Sequence, residues 1–209
     1  SNKDAMEHVD PRLKNAFSQN RISSYWGDQP FMSGPTYAGA IIVFLFFLGL
    51  FYVQGYLKWG LVAVTIISLF LAWGKNFMPL TDFFLDYVPL YNKFRAVSMI
   101  LILAEFTIPL LAILALSKII QEPKLILRKK REFFISFGLT GGFLLTFFLF
   151  PRLFFDFLNQ MEMEQLGKNI NPQVMDFIAN MEAARISIFR ADVIRSLIFI
   201  LLIIVALFT

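Results

Sequence analysis

The sequence has 209 residues, of which 57% are hydrophobic and 16% charged, and its formal net charge is +4. Soluble domains are usually about 45–50% apolar and about 25% charged, so this composition excludes an ordinary soluble domain and predicts a membrane protein. The chain contains no cysteine, which excludes disulfides, cysteine metal ligands and thiol nucleophiles.

The first 35 residues are polar, and they are predicted to form an external loop that ends in a cap at the membrane interface. Their last part, YWGDQPFMSGP at 25–35, combines turn-forming residues with Trp26 and Asp28. This composition is typical of a rigid loop with an aromatic platform for a sugar or a headgroup. A purely structural interface cap is the alternative interpretation.

Residues 36–209 are predicted to form one helical membrane domain. Five stretches come close to or reach the roughly 17–25 apolar residues that a helix needs to cross a bilayer. Each is apolar around most of its circumference, unlike the helices of a soluble bundle. The fold class is therefore all-α and polytopic, with spans predicted at about 36–53, 57–73, 96–117, 133–150 and 193–208.

The segment 118–132 is predicted to be a cytoplasmic loop. It holds six basic and two acidic residues, a difference equal to the whole formal net charge of +4. Because positive loops remain on the cytoplasmic side, the loops 74–95 and 151–192 and the N-terminal segment should be outside, and the C-terminus inside. A nucleic-acid partner is not expected, because the excess charge is a topology signal.

The loop 74–95 mixes aromatic residues with the charged residues Lys75, Asp82, Asp86, Lys93 and Arg95. If the two aspartates lie on one turn of helix, both carboxylates share a face that could hold a divalent cation or pair with the nearby basic residues. The basic side chains could instead bind a lipid phosphate, or simply anchor the loop at the interface.

Glu105 lies within the predicted span 96–117, where a charge is costly unless it is paired or hydrated. Pro109 follows four residues later and should displace the Glu105 carbonyl from helical bonding and bend the helix. The carboxyl group is either a buried acid that binds substrate or carries a proton, or a structural group that holds helices together. Both interpretations remain open.

Three further patterns predict packing. A helical stripe formed by Val174, Phe177, Ile178, Met181, Arg185 and Ile188 predicts a short interfacial helix after Pro172. Arg190, Asp192 and Arg195 are predicted to form a headgroup anchor or a local ion pair, since Asp192 and Arg195 are spaced for one helical face. The small residues Gly138, Gly141 and Gly142 predict a face on which another helix packs closely.

Four blocks of sequence resemble the YfhO-like family of large bacterial multi-pass membrane proteins. They are YWGDQPFMSGP at 25–35, WGKNFMPLTDFFLD at 73–86, YNKFRAVSMILILAEFTIPLLAILAL at 91–116 and ISFGLTGG at 135–142. Full-length members of the family look like type-C glycosyltransferases, which transfer a sugar from a polyprenyl-phosphate carrier on the outer face of the membrane. The resemblance implies a central piece of such a protein, located in the bacterial inner membrane and acting on a cell-envelope polymer.

By this resemblance, the catalytic acidic residue would precede the chain, so no catalytic residue is assigned. The expected partners are membrane lipids, a polyprenyl-phosphate sugar donor and the remaining helices of the full-length protein. No cofactor is predicted, with a divalent cation at Asp82 and Asp86 left open. Two alternatives remain: a transporter or lipid flippase that uses Glu105, and a membrane scaffold without activity. The substrate-binding candidates are Trp26, Asp28, Lys75, Asp82, Asp86, Lys93, Arg95 and Glu105.

Overall fold

A computed structural model describes residues 38–73, 78–88, 100–159, 162–164 and 172–208. Within these ranges the regular structure is helical and no strand is present, which confirms the predicted all-α fold class. The helices are α1 (Ala40–Tyr52), α2 (Tyr56–Ala72), α3 (Met78–Tyr87), α4 (Leu101–Gln121), α5 (Lys124–Arg128), α6 (Lys130–Leu149), α7 (Pro151–Phe154) and α8 (Pro172–Phe208).

Three of these helices, α4, α6 and α8, are long and apolar enough to cross a membrane. In hydrocarbon every peptide N–H and C=O needs a partner, and a helix supplies these partners within one segment. The other two predicted spans form the shorter apolar helices α1 and α2, of 13 and 17 residues. At 1.5 Å per residue they measure about 20 and 25 Å, which is less than the roughly 30 Å hydrocarbon core.

The segment 118–132, predicted as a cytoplasmic loop between two spans, is mostly helical, and its side of the membrane stays a prediction. Helix α4 continues to Gln121, α5 occupies Lys124–Arg128 and α6 begins at Lys130. Pro123 separates α4 from α5, because its ring cannot continue a helix but fits the start of the next one. Lys118 pairs with Glu122 at 2.7 Å and so supports the last turn of α4.

The predicted interfacial helix after Pro172 and the predicted span 193–208 are one continuous helix, α8, of 37 residues. Pro172 occupies its first turn, where the missing N–H has no intrahelical partner in any case, and neither Pro nor Gly follows before Phe208. At 1.5 Å per residue α8 is about 55 Å long. It is therefore too long for its whole length to lie across the hydrocarbon core.

The chain divides into two compact units. The helical unit is defined here as the described residues of Thr36–Thr140 and Ile200–Thr209, and the arginine unit as those of Gly141–Phe199.

In the helical unit, α1 and α2 both pack against α4. A Cβ atom added at Gly49 of α1 would lie 2.8 Å from Cγ and 3.0 Å from the carbonyl oxygen of Leu111. The absence of a side chain at Gly49 therefore allows α1 to approach the backbone of α4. The glycine face predicted on α6 makes no such close contact at Gly138 or Gly142, because nothing lies within 4 Å of a Cβ atom added at either residue.

Helix α2 contacts α4 through two buried hydroxyl groups. Oγ1 of Thr65 and Oγ1 of Thr107 are 2.7 Å apart. Each hydroxyl also lies within hydrogen-bonding distance of a carbonyl four residues earlier in its own helix, Leu61 O at 2.8 Å and Leu103 O at 2.9 Å. The two hydroxyl groups have only two protons for these three contacts. At any moment, therefore, one of the three contacts has no hydrogen between its two oxygens.

The turn between α1 and α2 contains a glycine that needs its conformational freedom. Gly55 has a φ of 102°, which is in the region that L side chains rarely adopt, and it directly precedes α2. Lys129 is close to the same end of α1, where its Nζ donates to the carbonyl of Phe51 at 3.0 Å. The hydroxyl of Tyr52 donates to the carbonyl of Lys129 at 3.3 Å.

Replacing Gly49 with Ala should lower the free energy of unfolding, because the new methyl group would overlap Cγ of Leu111 and press against the Leu111 carbonyl oxygen. Overpacking of this kind costs about 1–3 kcal/mol. The matched control is Gly60→Ala on α2, where nothing lies within 4 Å of an added Cβ. The control should be neutral or more stable by up to about 1 kcal/mol. Unfolding of the purified protein in detergent, followed by circular dichroism, measures both, and equal effects would contradict the packing described here.

Candidate functional site

The arginine unit is organised around a buried guanidinium group. The side chain of Arg185 on α8 is only 1% exposed. Its Nη1 donates to Oε2 of Glu162 at 2.7 Å and its Nη2 donates to Oε1 at 3.0 Å, a two-pronged ion pair. Nη1 also donates to the carbonyl of Phe157 at 2.8 Å. One side chain of α8 therefore holds the segment between α7 and residue 164.

The partner of Arg185 is oriented by a local turn. The N–H of Glu162 donates to Oδ1 of Asn159 at 2.8 Å, and the N–H of Asn159 donates to Oε2 of Glu162 at 2.9 Å. This reciprocal pattern is a capping box, in which a residue and its neighbour three positions later satisfy each other's backbone donors. The hydrogen bond from the Asn159 N–H thus holds the Glu162 carboxylate in a position where it can pair with Arg185.

The charge state of Glu162 follows from these contacts. Burial alone raises the pKa of its carboxyl group, but the hydrogen bonds from Arg185 and from the N–H of Asn159, together with the positive charge of Arg185, outweigh burial. The net pKa lies below its ordinary value of 4.5. Glu162 is therefore ionised at neutral pH, as a partner for a buried cation must be.

Phenylalanine rings from α6, from the segment after α7 and from α8 contact one another. The ring of Phe155 lies 5.2 Å from Phe147 of α6 and 5.1 Å from Phe189 of α8, measured between centroids. Phe157, whose carbonyl accepts from Arg185, lies 5.6 Å from Phe189. These contacts connect the end of α6 with the middle of α8 through the segment that follows α7.

An open groove lies beside this cluster, between residues 148–153 and residues 183–194, with a volume of about 780 Å³. We call it the arginine groove, because Arg152 and Arg190 are its charged lining residues. Its apolar lining includes Leu149, Phe150, Ala183, Ile186, Ala191 and Ile194.

The two arginines of the groove have different partners. Nε of Arg152 donates to Oε1 of Glu182 at 2.8 Å. The Arg190 guanidinium lies 5.7 Å from the centroid of the Phe148 ring, a cation–π contact. No carboxylate of the described residues forms an ion pair with Arg190. Asp192 instead pairs with Arg195 at 3.1 Å, as the sequence predicts.

Five of the residues predicted for substrate binding lie outside the described ranges: Trp26, Asp28, Lys75, Lys93 and Arg95. Their roles stay predictions. The described candidates are Asp82, Asp86 and Glu105.

Asp82 and Asp86 lie one turn apart on α3, and both are exposed. The described residues include no group of three or more carboxylates or imidazoles that could hold a metal ion. The role of this acidic pair stays a prediction.

Glu105 lies on the second turn of α4, since the helix begins at Leu101. Its side chain is exposed, and it is about 200° around the helix from the buried Thr107. Glu105 therefore does not lie on the face of α4 that packs against the neighbouring helices. The helix continues through Pro109, which has no N–H to donate to the carbonyl of Glu105.

The sequence analysis did not identify the Arg185–Glu162 pair, the Arg152–Glu182 pair or the groove. One signal for the first pair was present, because Arg185 interrupts a stripe of apolar residues. Ile178, Met181, Arg185 and Ile188 are all buried, which agrees with most of that stripe. A charged residue on a buried face requires a counter-charge, although the spacing does not say which acid supplies it.

Comparisons with protein-family models, with curated proteins and with solved structures found no match.

Replacing Glu162 with Gln should destabilise the arginine unit, because it leaves the buried Arg185 without a counter-charge. Breaking a buried ion pair costs about 3–5 kcal/mol. Asp156→Asn is the control, since Asp156 is an exposed acid on the same segment. Unfolding of each variant in detergent is measured at pH 7.

The pH dependence gives the Glu162→Gln variant a second readout. A carboxyl group with a lowered folded pKa contributes its full stability above the unfolded pKa and loses it as the pH falls through the folded pKa. The stability difference between the unmodified protein and Glu162→Gln should therefore be largest at pH 6–7 and shrink below the ordinary value of 4.5. A difference that is independent of pH between 7 and 3 would contradict an ionised Glu162.

Proposed function

We propose that this chain is the helical membrane segment of a YfhO-like protein that takes part in polyprenyl-phosphate-dependent glycosyl transfer to a cell-envelope polymer. The proposal places it in the bacterial inner membrane, with the N-terminal segment outside and the C-terminus inside. It rests on the four sequence blocks that resemble the family and on the apolar helices. The distribution of charge in the described residues is the structural observation that carries it.

The helical unit buries hydroxyl groups rather than charges. Thr65, Ser68, Thr107, Ser136 and Thr140 are buried there, and each donates to a carbonyl of its own helix. No charged side chain of the described residues is buried in this unit. A charged substrate passing between these helices would meet no buried counter-charge.

The charged contacts are concentrated in the arginine unit instead. It contains the buried Arg185–Glu162 pair and the pairs that involve Arg152 and Arg195. It also contains the polar half of α8, the helix that is too long for the hydrocarbon core. This arrangement supports chemistry on a substrate held at the membrane surface rather than transport through the bilayer.

In the proposed reaction an acceptor hydroxyl attacks the anomeric carbon of a sugar attached to the carrier phosphate. A new C–O bond forms, the bond from the sugar to the phosphate oxygen breaks, and the carrier phosphate leaves with the electron pair. A carboxylate outside this chain takes the proton of the hydroxyl. Lys75, Lys93 and Arg95 are the proposed contacts to the carrier phosphate, and Trp26 and Asp28 those to the sugar or the acceptor.

The test compares sugar transfer by two variants of the full-length protein. Replacing Lys93 and Arg95 together with Gln should lower transfer from a polyprenyl-phosphate donor at least tenfold, because bonds to charged groups are worth about 1.5–3 kcal/mol each. Glu105→Gln should leave transfer unchanged. Both variants are compared at equal abundance in the membrane.

The opposite result would favour the alternative function. If Glu105→Gln abolished uptake or lipid flipping in vesicles and the Lys93 and Arg95 variant kept full sugar transfer, the chain would belong to a transporter. If both variants retained every activity and affected only assembly, a scaffold would be the better description.

A further inference from the structure

Arg190 is a cation without an ion-pair partner among the described residues, in a groove that is mainly apolar. It is exposed, and its guanidinium contacts the face of the Phe148 ring. The nearest acids along the chain are already engaged, since Asp192 pairs with Arg195 and Glu182 pairs with Arg152. Among the described residues, the Arg190 charge is thus available for an external anion.

Arg152 supplies a second cation to the same groove. Glu182 accepts from its Nε at 2.8 Å, and no other described residue accepts from this guanidinium. The Arg152 side chain is 69% exposed, so its terminal nitrogens are accessible. Two guanidinium groups in one groove are suited to a phosphate, because each offers a planar pair of donors.

The remaining lining of the groove is suited to a hydrocarbon chain. Leu149 and Phe150 mark the end of α6, and Ile194 lies in the apolar run that follows Asp192 on α8. The groove therefore follows the boundary between polar and apolar sequence on both of its sides. A free inorganic anion would use the arginines and leave these apolar walls without a partner.

We propose that the arginine groove binds an anionic phospholipid of the surrounding bilayer. The phosphate is held by Arg190 and Arg152, and the adjoining acyl chain lies against Phe150 and Ile194. Charge complementarity selects the headgroup, and the apolar lining selects a lipid over a free phosphate. The volume of about 780 Å³ lies within the range of about 300–1,000 Å³ that small-molecule sites occupy. This inference does not depend on the proposed glycosyl transfer.

The test titrates the purified protein with lipid and follows binding by native mass spectrometry. Dioleoylphosphatidylglycerol should bind more tightly than dioleoylphosphatidylcholine, which has the same chains but no net charge. Arg190→Gln should weaken binding of the anionic lipid about fivefold, the equivalent of one basic residue near an anionic headgroup. Arg152→Gln should weaken it less, because Glu182 shares that cation.

Three controls make the outcome decisive. Arg195→Gln combined with Asp192→Asn removes the ion pair of the same helix outside the groove without freeing a carboxylate beside Arg190, and it should leave binding unchanged. Arg190→Lys keeps the charge and should retain most of the affinity, which separates lost binding from lost folding. Inorganic phosphate is added as the competitor, and it should not displace the lipid at comparable concentration.

Equal binding of phosphatidylglycerol by the unmodified protein and by folded Arg190→Gln would overturn the proposal. Displacement of the lipid by equimolar inorganic phosphate would also overturn it, and would indicate a site for a free anion. Equal weakening by the variant with Asp192→Asn and Arg195→Gln would show that any change to the charged surface of α8 weakens binding, rather than a change in the groove.

Discussion

The need to satisfy peptide N–H and C=O groups away from water is the constraint on which the described structure depends. With 57% hydrophobic residues, the chain meets this need through long helices in which the backbone bonds stay within each segment. The buried hydroxyls of the helical unit obey the same constraint, since they donate to carbonyls of their own helices. Close helix contacts then need small residues, and Gly49 provides one against Leu111 of α4.

The same need for partners away from water explains where the charged side chains lie. A buried cation requires a counter-charge, and Arg185 obtains it from Glu162, while the carbonyl of Phe157 accepts a further hydrogen bond from its Nη1. The capping box at Asn159 fixes the carboxylate. This support leaves the neighbouring Arg190 exposed in a formed groove, where it can interact with a ligand rather than with the fold.

Hydropathy predicted the existence of all five apolar helices, because a long apolar run restricts the backbone to few alternatives. It did not predict their ends. The basic segment is helical except at the breaks near Pro123 and Lys129, and the polar and apolar halves of α8 are continuous because no helix breaker separates them. Helical spacing predicted the Asp192–Arg195 pair, which is local. The Arg185–Glu162 pair joins residues 23 positions apart, and helical spacing carries no information about such a pairing. The prominent glycines at 138 and 142 were likewise less important for packing than Gly49, because a close approach depends on the neighbouring helix.

The central proposal is that α8 passes from water into the membrane along its length, so that the half of α8 that contains Arg185 lies at the surface. The chain has no cysteine, so single cysteines can be introduced on a clean background. Four positions on α8 with similar exposure in the fold are suitable, namely Met175 (45%), Phe177 (46%), Ile198 (50%) and Leu202 (58%). Each single-cysteine variant is treated with a water-soluble maleimide in membranes accessible from both sides. The account predicts rapid labelling at 175 and 177, and labelling at 198 and 202 only after the membrane is dissolved. Equal labelling at all four positions in intact membranes would contradict it.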